Sequence, residues 1–355
     1  MKKLFTCFLI FSLIAALVGC SGTPTVEGSA DATVSFTDDC GREVELPSDI
    51  HRIVATGPLS QIVLYTIAPD MLVGLAAKWS DSAQGIVPEE YRKLPYFGQL
   101  YNTANLNVEE LALAAPQVII DIGRVMSTGS EDMNTLRQQT GIPTIFLAGD
   151  NDSLPQTYRS LGKLLKREEA GEKLASFCER VYSRTLSIME QVGENKVTAL
   201  YIKGEGGTSV LPKGSPHAET LDLLTENLAV VDSPSSKGSG NEVTMEQIAL
   251  WDPQVILFDA DSIYDTAATL DTWSSLSAIA GNRYLEVPEG PWNWMGTPSG
   301  AQRYLGMIWL TAQLYPEYCD YDAQAEVMEF YELFCHCQLT QEQYAQMTAK
   351  VFPED

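Results

Sequence analysis

Apolar positions along this chain follow two periods. Stretches with apolar residues three and four apart, as on one helix face, alternate with short unbroken aliphatic runs, the mark of strands covered on both sides. One such combination occurs twice. Val108-Glu109-Glu110-Leu111-Ala112-Leu113-Ala114-Ala115-Pro116-Gln117-Val118-Ile119-Ile120 is matched, at an offset of 137 residues, by Met245-Glu246-Gln247-Ile248-Ala249-Leu250-Trp251-Asp252-Pro253-Gln254-Val255-Ile256-Leu257. Each reads as a helix, a proline that cannot continue it, and a buried strand. Glu, Ala, Leu and Pro-Gln-Val-Ile fall in one register in both copies, which points to two similar α/β lobes. Further strands are predicted at Arg52 to Ala55, Leu72 to Leu75 and Thr144 to Leu147, then at Val197 to Ile202 and Tyr284 to Val287. Helical stretches separate them, so the sheets should be parallel and flanked by helices.

Between the two halves, Ser153 to Glu194 keeps helical spacing through Leu161, Leu164, Leu165, Leu174, Phe177, Val181 and Leu186, with Gly162 and Gly171 as its main interruptions. This predicts a short helix followed by a long one near Glu168 to Val192. A helix of about 25 residues spans nearly 40 Å and can act as a rigid spine between lobes.

In open α/β sheets ligands lie beyond the carboxyl ends of the strands. The loops to consider therefore follow Ala55, Leu75, Asp121, Ile202, Phe258 and Val287. They carry Thr56-Gly57-Pro58, Lys78-Trp79, Gly123-Arg124, Lys203-Gly204, Asp259-Ala260-Asp261 and Pro291-Trp292-Asn293-Trp294. Aromatic faces with a few cations suit a flat or chelated organic ligand. Trp79, Trp292, Trp294, Arg124 and Lys203 are thus candidate ligand residues. For Trp292 and Trp294 the alternative is a local core, and for Arg124 a surface ion pair. His217 follows Gly214-Ser215-Pro216, where proline suits a helix start. It is either a ligand to a haem or an ordinary polar helix end.

At the N-terminus Lys2 and Lys3 precede an apolar run, Leu4 to Val18, that ends in Gly19-Cys20. The run is shorter than the roughly 20 residues a membrane-spanning helix needs and has the layout of an export signal. Leu17-Val18-Gly19-Cys20 resembles the lipobox of bacterial lipoproteins, which implies lipidation at Cys20 and a membrane anchor. Ser21 to Ala32, rich in Gly, Ser and Thr, reads as a flexible tether. The expected organisation is a signal over 1–20, a tether over 21–32, an N-terminal lobe over 33–150, linker helices over 151–194, and a C-terminal lobe with a helical tail over 195–355.

The 355 residues are 45% apolar, enough for two cores. Net charge is −24; without Lys2 and Lys3, 21 basic residues face 47 acidic ones, or −26. Nucleic acid is excluded as a partner on those grounds, and an anionic ligand would have to be captured by local positive groups. Five cysteines remain after Cys7 and Cys20: Cys40, Cys178, Cys319, Cys335 and Cys337. Their pairing is not fixed by sequence. Cys335-His336-Cys337 lacks a second ligand pair at zinc spacing and reads as a helix end with core cysteines.

Together these features resemble a known family, the substrate-binding lipoproteins of ABC importers for ferric siderophores, haem and cobalamin. Thr37-Asp38-Asp39-Cys40-Gly41-Arg42-Glu43-Val44-Glu45-Leu46-Pro47 resembles its opening strand-turn-strand, and Arg52-Ile53-Val54-Ala55 its first core strand. Asn107 to Ile120 resembles its helix-proline-strand unit, and Pro298-Ser299 through Arg303-Tyr304-Leu305-Gly306 to Leu314-Tyr315-Pro316 its late helix. The resemblance runs from about 33 to 318. It implies an α/β fold of two Rossmann-like lobes with parallel sheets, joined by a long rigid helix, with the ligand in the cleft between them. It places Tyr101 near the cleft, as a ligand to a carboxylate or ferric centre or as core packing. Arg303, in the late helix, contacts ligand or makes a structural pair. An acidic residue on each lobe would dock on the permease, and by position these are Glu109 and Glu246, whose alternative is a solvated helix cap. The twin tryptophans and the tail from Tyr321 to Asp355 depart from the family pattern.

The function that follows is capture of a chelated iron or tetrapyrrole ligand outside the cytoplasm, by a monomer, and delivery to an ABC permease and its ATPase. No resident cofactor or metal is expected beyond iron or cobalt within the ligand. An oxyanion such as molybdate or tungstate is the alternative, with Lys203, Arg124 and helix N-termini as donors. A bare transition metal would want several histidines, and only His51, His217 and His336 are present. An exported enzyme is disfavoured, since no Gly-x-Ser-x-Gly, His-Glu-x-x-His or Gly-x-x-x-x-Gly-Lys pattern occurs.

Overall fold

A computed structural model describes residues 32–101 and 104–352. The signal, Cys20 and most of the tether lie outside the described residues.

The chain opens with an antiparallel hairpin, β1 (Thr33–Thr37) and β2 (Glu43–Pro47). Its turn is organised by Asp38, whose carboxylate accepts the backbone N–H groups of Cys40 and Arg42 and pairs with the Arg42 guanidinium at 2.6 Å. Arg42 also donates to the Thr144 carbonyl at 2.8 Å, so the hairpin is pinned to the first lobe. That lobe holds three parallel strands in the order β3 (Ile53–Ala55), β4 (Val118–Gly123), β5 (Thr144–Ala148). The second lobe has β6 (Thr198–Lys203), β7 (Ser209–Val210), β8 (Glu226–Asn227), β9 (Asn241–Glu242), β10 (Val255–Phe258) and β11 (Tyr284–Glu286). There β11, β10 and β6 run parallel, β8 pairs parallel with β6, and β7 and β9 extend the sheet antiparallel. The structure is therefore a two-lobed α/β fold.

Both faces of the central strands are covered, as their apolar runs predicted. In β4, Val118, Ile120 and Ile122 join the main core while Ile119 joins a smaller outer cluster. In β10, Val255 and Leu257 face the main core, and Ile256 and Phe258 a separate cluster under the outer helices. The predicted strand Leu72 to Leu75 forms only isolated bridges. Val73 donates to Ile53 at 3.1 Å, but Leu75 turns to Pro95 at 2.7 Å and bridges Tyr96. Its pairing partner changes halfway, so no continuous ladder develops.

The repeat is structural in detail. Asn107 and Thr244 each accept, through the side chain, the backbone N–H three residues on, and thus start the helices Val108–Leu113 and Met245–Trp251. Ala115 and Asp252 take left-handed backbone, φ 47° and 35°, just before the prolines. Gln117 then accepts the N–H groups of His51 and Arg52, and Gln254 that of Thr198, so each fixes the start of the neighbouring strand.

Two helices cross between the lobes, Leu154–Leu164 and Glu168–Val192. The glycines that interrupt their apolar pattern are where they touch. A side-chain carbon on Gly171 would lie 2.6 Å from the Tyr158 carbonyl and 3.0 Å from the Gly162 Cα. The long helix buries Leu174, Phe177, Val181 and Ile188. The tail adds a second crossing. Its helix Ala323–Phe334 sets Phe330 and Phe334 edge-on against Phe177 and is tied to the spine by Arg184–Glu326 and Arg180–Glu329 pairs. Tyr65 of the first lobe donates to the Cys335 carbonyl at 3.2 Å. Lys350 meets Glu286 of the second lobe at 2.9 Å. All five cysteines from Cys40 onward are free thiols.

Candidate functional site

The carboxyl ends of both sheets face one cleft, and two adjoining cavities of about 400 Å³ each occupy it. The first has an aromatic wall. Trp79, from the first lobe, and Trp292, from the second, lie 5.7 Å apart between ring centroids at 34°. Tyr65 backs both edge-on, at 5.1 and 6.2 Å, and Trp79 Nε1 donates to the Tyr91 carbonyl at 3.3 Å. Such contacts fix ring orientation before any ligand arrives. Gln61 and Gln99 from the first lobe, and His217, Glu289 and Thr297 from the second, supply polar edges. Gln99 Oε1 and Thr297 Oγ1 are buried and unpartnered among the described residues. Across the mouth Ser80 donates to the Pro291 carbonyl at 3.3 Å and Ser82 to Glu289 at 2.9 Å, so the lobes touch directly.

The second cavity is polar, lined by Lys203, Asp259, Asp261, Glu289, Asn293 and Thr297. Lys203 is buried and spends its charge on Asp259; that carboxylate also accepts the Tyr201 hydroxyl at 2.8 Å and Asn293 Nδ2 at 3.3 Å. Across both cavities the lining charges are therefore Lys78 and Lys203 against Asp259, Asp261 and Glu289. Lys78 is exposed at the mouth, over the Tyr96 ring at 5.5 Å.

His217 lies at the junction of the two lobes. Its Nδ1 is 3.0 Å from the carbonyl of Gly296, a residue held at φ 97°, a conformation open to glycine. That contact sets Nδ1 as the protonated nitrogen of the neutral ring. Burial, with lesser help from the charges of Lys203 and Arg303, holds its pKa below the ordinary histidine value, against the opposing pull of the Gly296 carbonyl.

Of the residues read as ligand contacts, Trp79, His217 and Trp292 line the aromatic cavity and Lys203 the polar one. Four lie elsewhere. Trp294 is wholly buried, packed on Trp309 and Tyr331, with Nε1 donating to the Tyr331 hydroxyl at 3.3 Å. The chain turns between them, with the Gly290 N–H donating to the Trp292 carbonyl and the Trp294 N–H to the Pro288 carbonyl, both at 3.1 Å, which leaves Trp292 at the cleft and Trp294 in the core. Arg303 is buried at the lobe junction, paired with Glu219 and donating to the Gly149 carbonyl at 2.5 Å; Glu219 in turn accepts the Asn151 N–H. It knits the lobes together. Arg124 pairs with Asp150 at 3.3 Å on the surface. Tyr101 donates to Asp132 at 3.2 Å outside the cavities, its phenol pushed up chiefly by burial and then by Asp121 and Asp132. Sequence reasoning overlooked Gln61, Gln99, Glu289 and Thr297. Glu289 and Thr297 flank the loop it had singled out, which was the available signal. Glu109 and Glu246 are exposed in the first turns of their helices.

A cleft between two similar lobes, held by a spine and lined by aromatic and polar groups from both, defines a bilobal solute-binding protein. Residues 81–289 match the sequence profile of the periplasmic binding protein family, and the chain belongs to that family. Its place is with the solute-binding components of ABC transporters, outside the cytoplasm, working with permease and ATPase components. An ABC transporter solute binding protein from Sulfurospirillum deleyianum is similar in structure at TM-score 0.82 and 25% identity, over 89% of this chain and 99% of that one. A periplasmic solute binding protein from Veillonella parvula reaches 0.73 at 24% identity, over 90% and 97%. The molybdate periplasmic binding protein MolA of Haemophilus influenzae reaches 0.67 at 18%, over 86% and 99%, a likeness of fold. Comparison with curated proteins finds none that matches. Among the described residues no helix is long and apolar enough to cross a membrane.

Proposed function

We propose that this protein captures an organic metal chelate or tetrapyrrole, in the class of ferric siderophores, haem or cobalamin, and hands it to an ABC permease. The observation that carries this is the Trp79–Trp292 pair, one ring from each lobe, on the wall of a cavity of about 400 Å³. Flat π-surface of that extent favours a ligand with conjugated or extended apolar faces. An oxyanion fits less well. Lys203, Arg124 and Arg303 are all neutralised by Asp259, Asp150 and Glu219, and the cavity linings carry more carboxylates than cations. A doubly charged oxyanion in such a site would meet repulsion from Asp259, Asp261 and Glu289, with Lys78, exposed at the mouth, as the one lining cation not paired with a carboxylate among the described residues.

Delivery proceeds by docking both lobes on the permease through Glu109 and Glu246, with Cys20 lipidated and the protein held at the membrane as a monomer. The spine and the tail restrict closure to a modest narrowing of the cleft. The test is titration of purified residues 21–355, which lack Cys20, by tryptophan fluorescence against ferric siderophores, haemin, cobalamin and molybdate. Saturable submicromolar quenching by a chelate or tetrapyrrole is expected. Quenching by molybdate alone would replace this reading with oxyanion capture.

A further inference from the structure

Gly238, Glu289, Asn293 and Thr297 line both cavities, so the aromatic and the polar space share one wall. Most polar groups around that wall are satisfied within the protein. Gln61 accepts the N–H groups of Ala76 and Ala77 and donates to the Ala77 carbonyl. Asn293 donates to Tyr201 and accepts the Met295 N–H, and Lys203 is held by Asp259. The groups left over have one character. Glu289 accepts the Ser82 hydroxyl through Oε1 at 2.9 Å, and its Oε2 has no partner among the described residues. Asp261 accepts the Gly204 N–H through Oδ1 at 2.9 Å, with Oδ2 likewise unpartnered. Gln99 Oε1 and Thr297 Oγ1 are buried without partners. All are acceptors, the hydroxyl alone being able to act either way. With Lys203 and Asp259 cancelling, Lys78 at the mouth stands against Asp261 and Glu289. Lys237, next to Gly238, is exposed and lines neither cavity.

We infer that the ligand is a neutral or positively charged chelate bearing N–H or ammonium groups, and that Glu289 is the residue that receives them. Its flat or apolar part rests on Trp79 and Trp292, whose ring faces also attract a cation. Its donor groups reach the shared wall, where Glu289 Oε2 offers a charge-assisted hydrogen bond, stronger than a neutral one. Ser82 comes from the first lobe and Glu289 from the second, so the bond that joins the lobes at the mouth also orients this carboxylate. The same wall rejects chelates rich in carboxylate or catecholate charge, because like charges meet there and acceptor faces acceptor. The inference rests on the chelate reading above and adds to it the sign of the ligand's charge and the residue that reads it.

Tryptophan quenching of the purified protein by chelates graded in charge tests this. One series is ferrioxamine B, which carries a pendant ammonium, with its neutral N-acetyl and anionic N-succinyl derivatives. The other is aquocobalamin and its monocarboxylic acid, and ferric enterobactin, haemin and molybdate complete the panel. Affinity should fall from cation to anion by about tenfold or more within the series that binds, with ferric enterobactin and haemin weaker still. Glu289→Gln keeps an acceptor for Ser82 and removes the charge. It should erase the preference, weakening the cationic member by about tenfold or more with the thermal midpoint unchanged. Ser82→Ala, which removes the interlobe bond and keeps the charge, should retain the preference. Equal affinity across the series that binds, tightest binding of ferric enterobactin or haemin, or a preference that survives Glu289→Gln would overturn the inference and leave the chelate reading standing. Quenching by molybdate alone, or by no chelate or tetrapyrrole, would overturn both.

Discussion

The buried pair Lys203–Asp259 decides whether the polar cavity has a cation to give a ligand, and it makes a quantitative prediction. Both side chains are nearly inaccessible, at 6% and 10%. Removing one charge from such a pair leaves the other uncompensated, at a typical cost of about 3 to 5 kcal/mol. Asp259 keeps two neutral donors, the Tyr201 hydroxyl and Asn293 Nδ2, so Lys203→Met should fall at the lower end, about 3 kcal/mol. Asp259→Asn retains acceptors for those donors and strands Lys203 instead, at a similar cost. The double variant restores neutrality and should cost less than the sum of the single ones, with a coupling energy of about 2 kcal/mol or more. Urea unfolding of the four ligand-free proteins measures this, with ligand affinity measured in parallel. Single variants that each lose under about 1 kcal/mol and show no coupling would refute the buried-pair account. If Lys203→Met kept its stability and lost ligand affinity, Lys203 would be a free ligand cation and the case against an oxyanion would fail.

Three further outcomes are expected. Trp79→Ala should weaken ligand binding by about 1 to 3 kcal/mol, whereas Trp294→Ala should destabilise the fold by about 3 to 5 kcal/mol and leave the affinity of the folded protein unchanged; the reverse pattern in melting and titration would exchange their roles. Reversal of both docking charges, Glu109→Lys with Glu246→Lys, should abolish uptake in cells and leave affinity in solution intact, and a loss of affinity would place these residues in the pocket or the fold. For His217 the native pKa lies below the unfolded value of about 6.5. The stability it contributes is whole above about pH 6.5 and is lost as pH falls through the native pKa, because the unfolded chain then binds the extra proton. The stability difference between wild type and His217→Gln should therefore be flat above about pH 6.5 and move in the variant's favour below it; a difference independent of pH down to 5 would show that the ring is not held neutral.

Much of the architecture was legible in contiguous sequence because its determinants are local. Proline stops, strand runs covered on both faces and helical spacing act within a few residues, so the repeat, the strands β3, β5, β6 and β11, and the helix Glu168–Val192 could be placed from the chain alone. The one strand that failed, Leu72 to Leu75, failed for a non-local reason, since its ladder needed a partner that leaves after Val73. The site was legible only as a set of loops. Trp292 and Trp294 are two residues apart with the same local signal, yet Tyr65 and Trp79 bring one to the cleft while Tyr331 and Trp309 hold the other in the core.

The sequence by itself therefore determined two similar α/β lobes on a helical spine and all but one of the loops that would face the cleft, the exception being Gly123-Arg124. Only the tertiary structure decided which side chains those loops offer. A cation's availability depends on where its counter-charge sits, and Glu219 lies 84 residues from Arg303, as Asp259 lies 56 from Lys203. The tail's role was decided the same way, by Phe330 and Phe334 meeting Phe177 across more than a hundred residues. No local rule carries that information, because burial and pairing are properties of the packed whole.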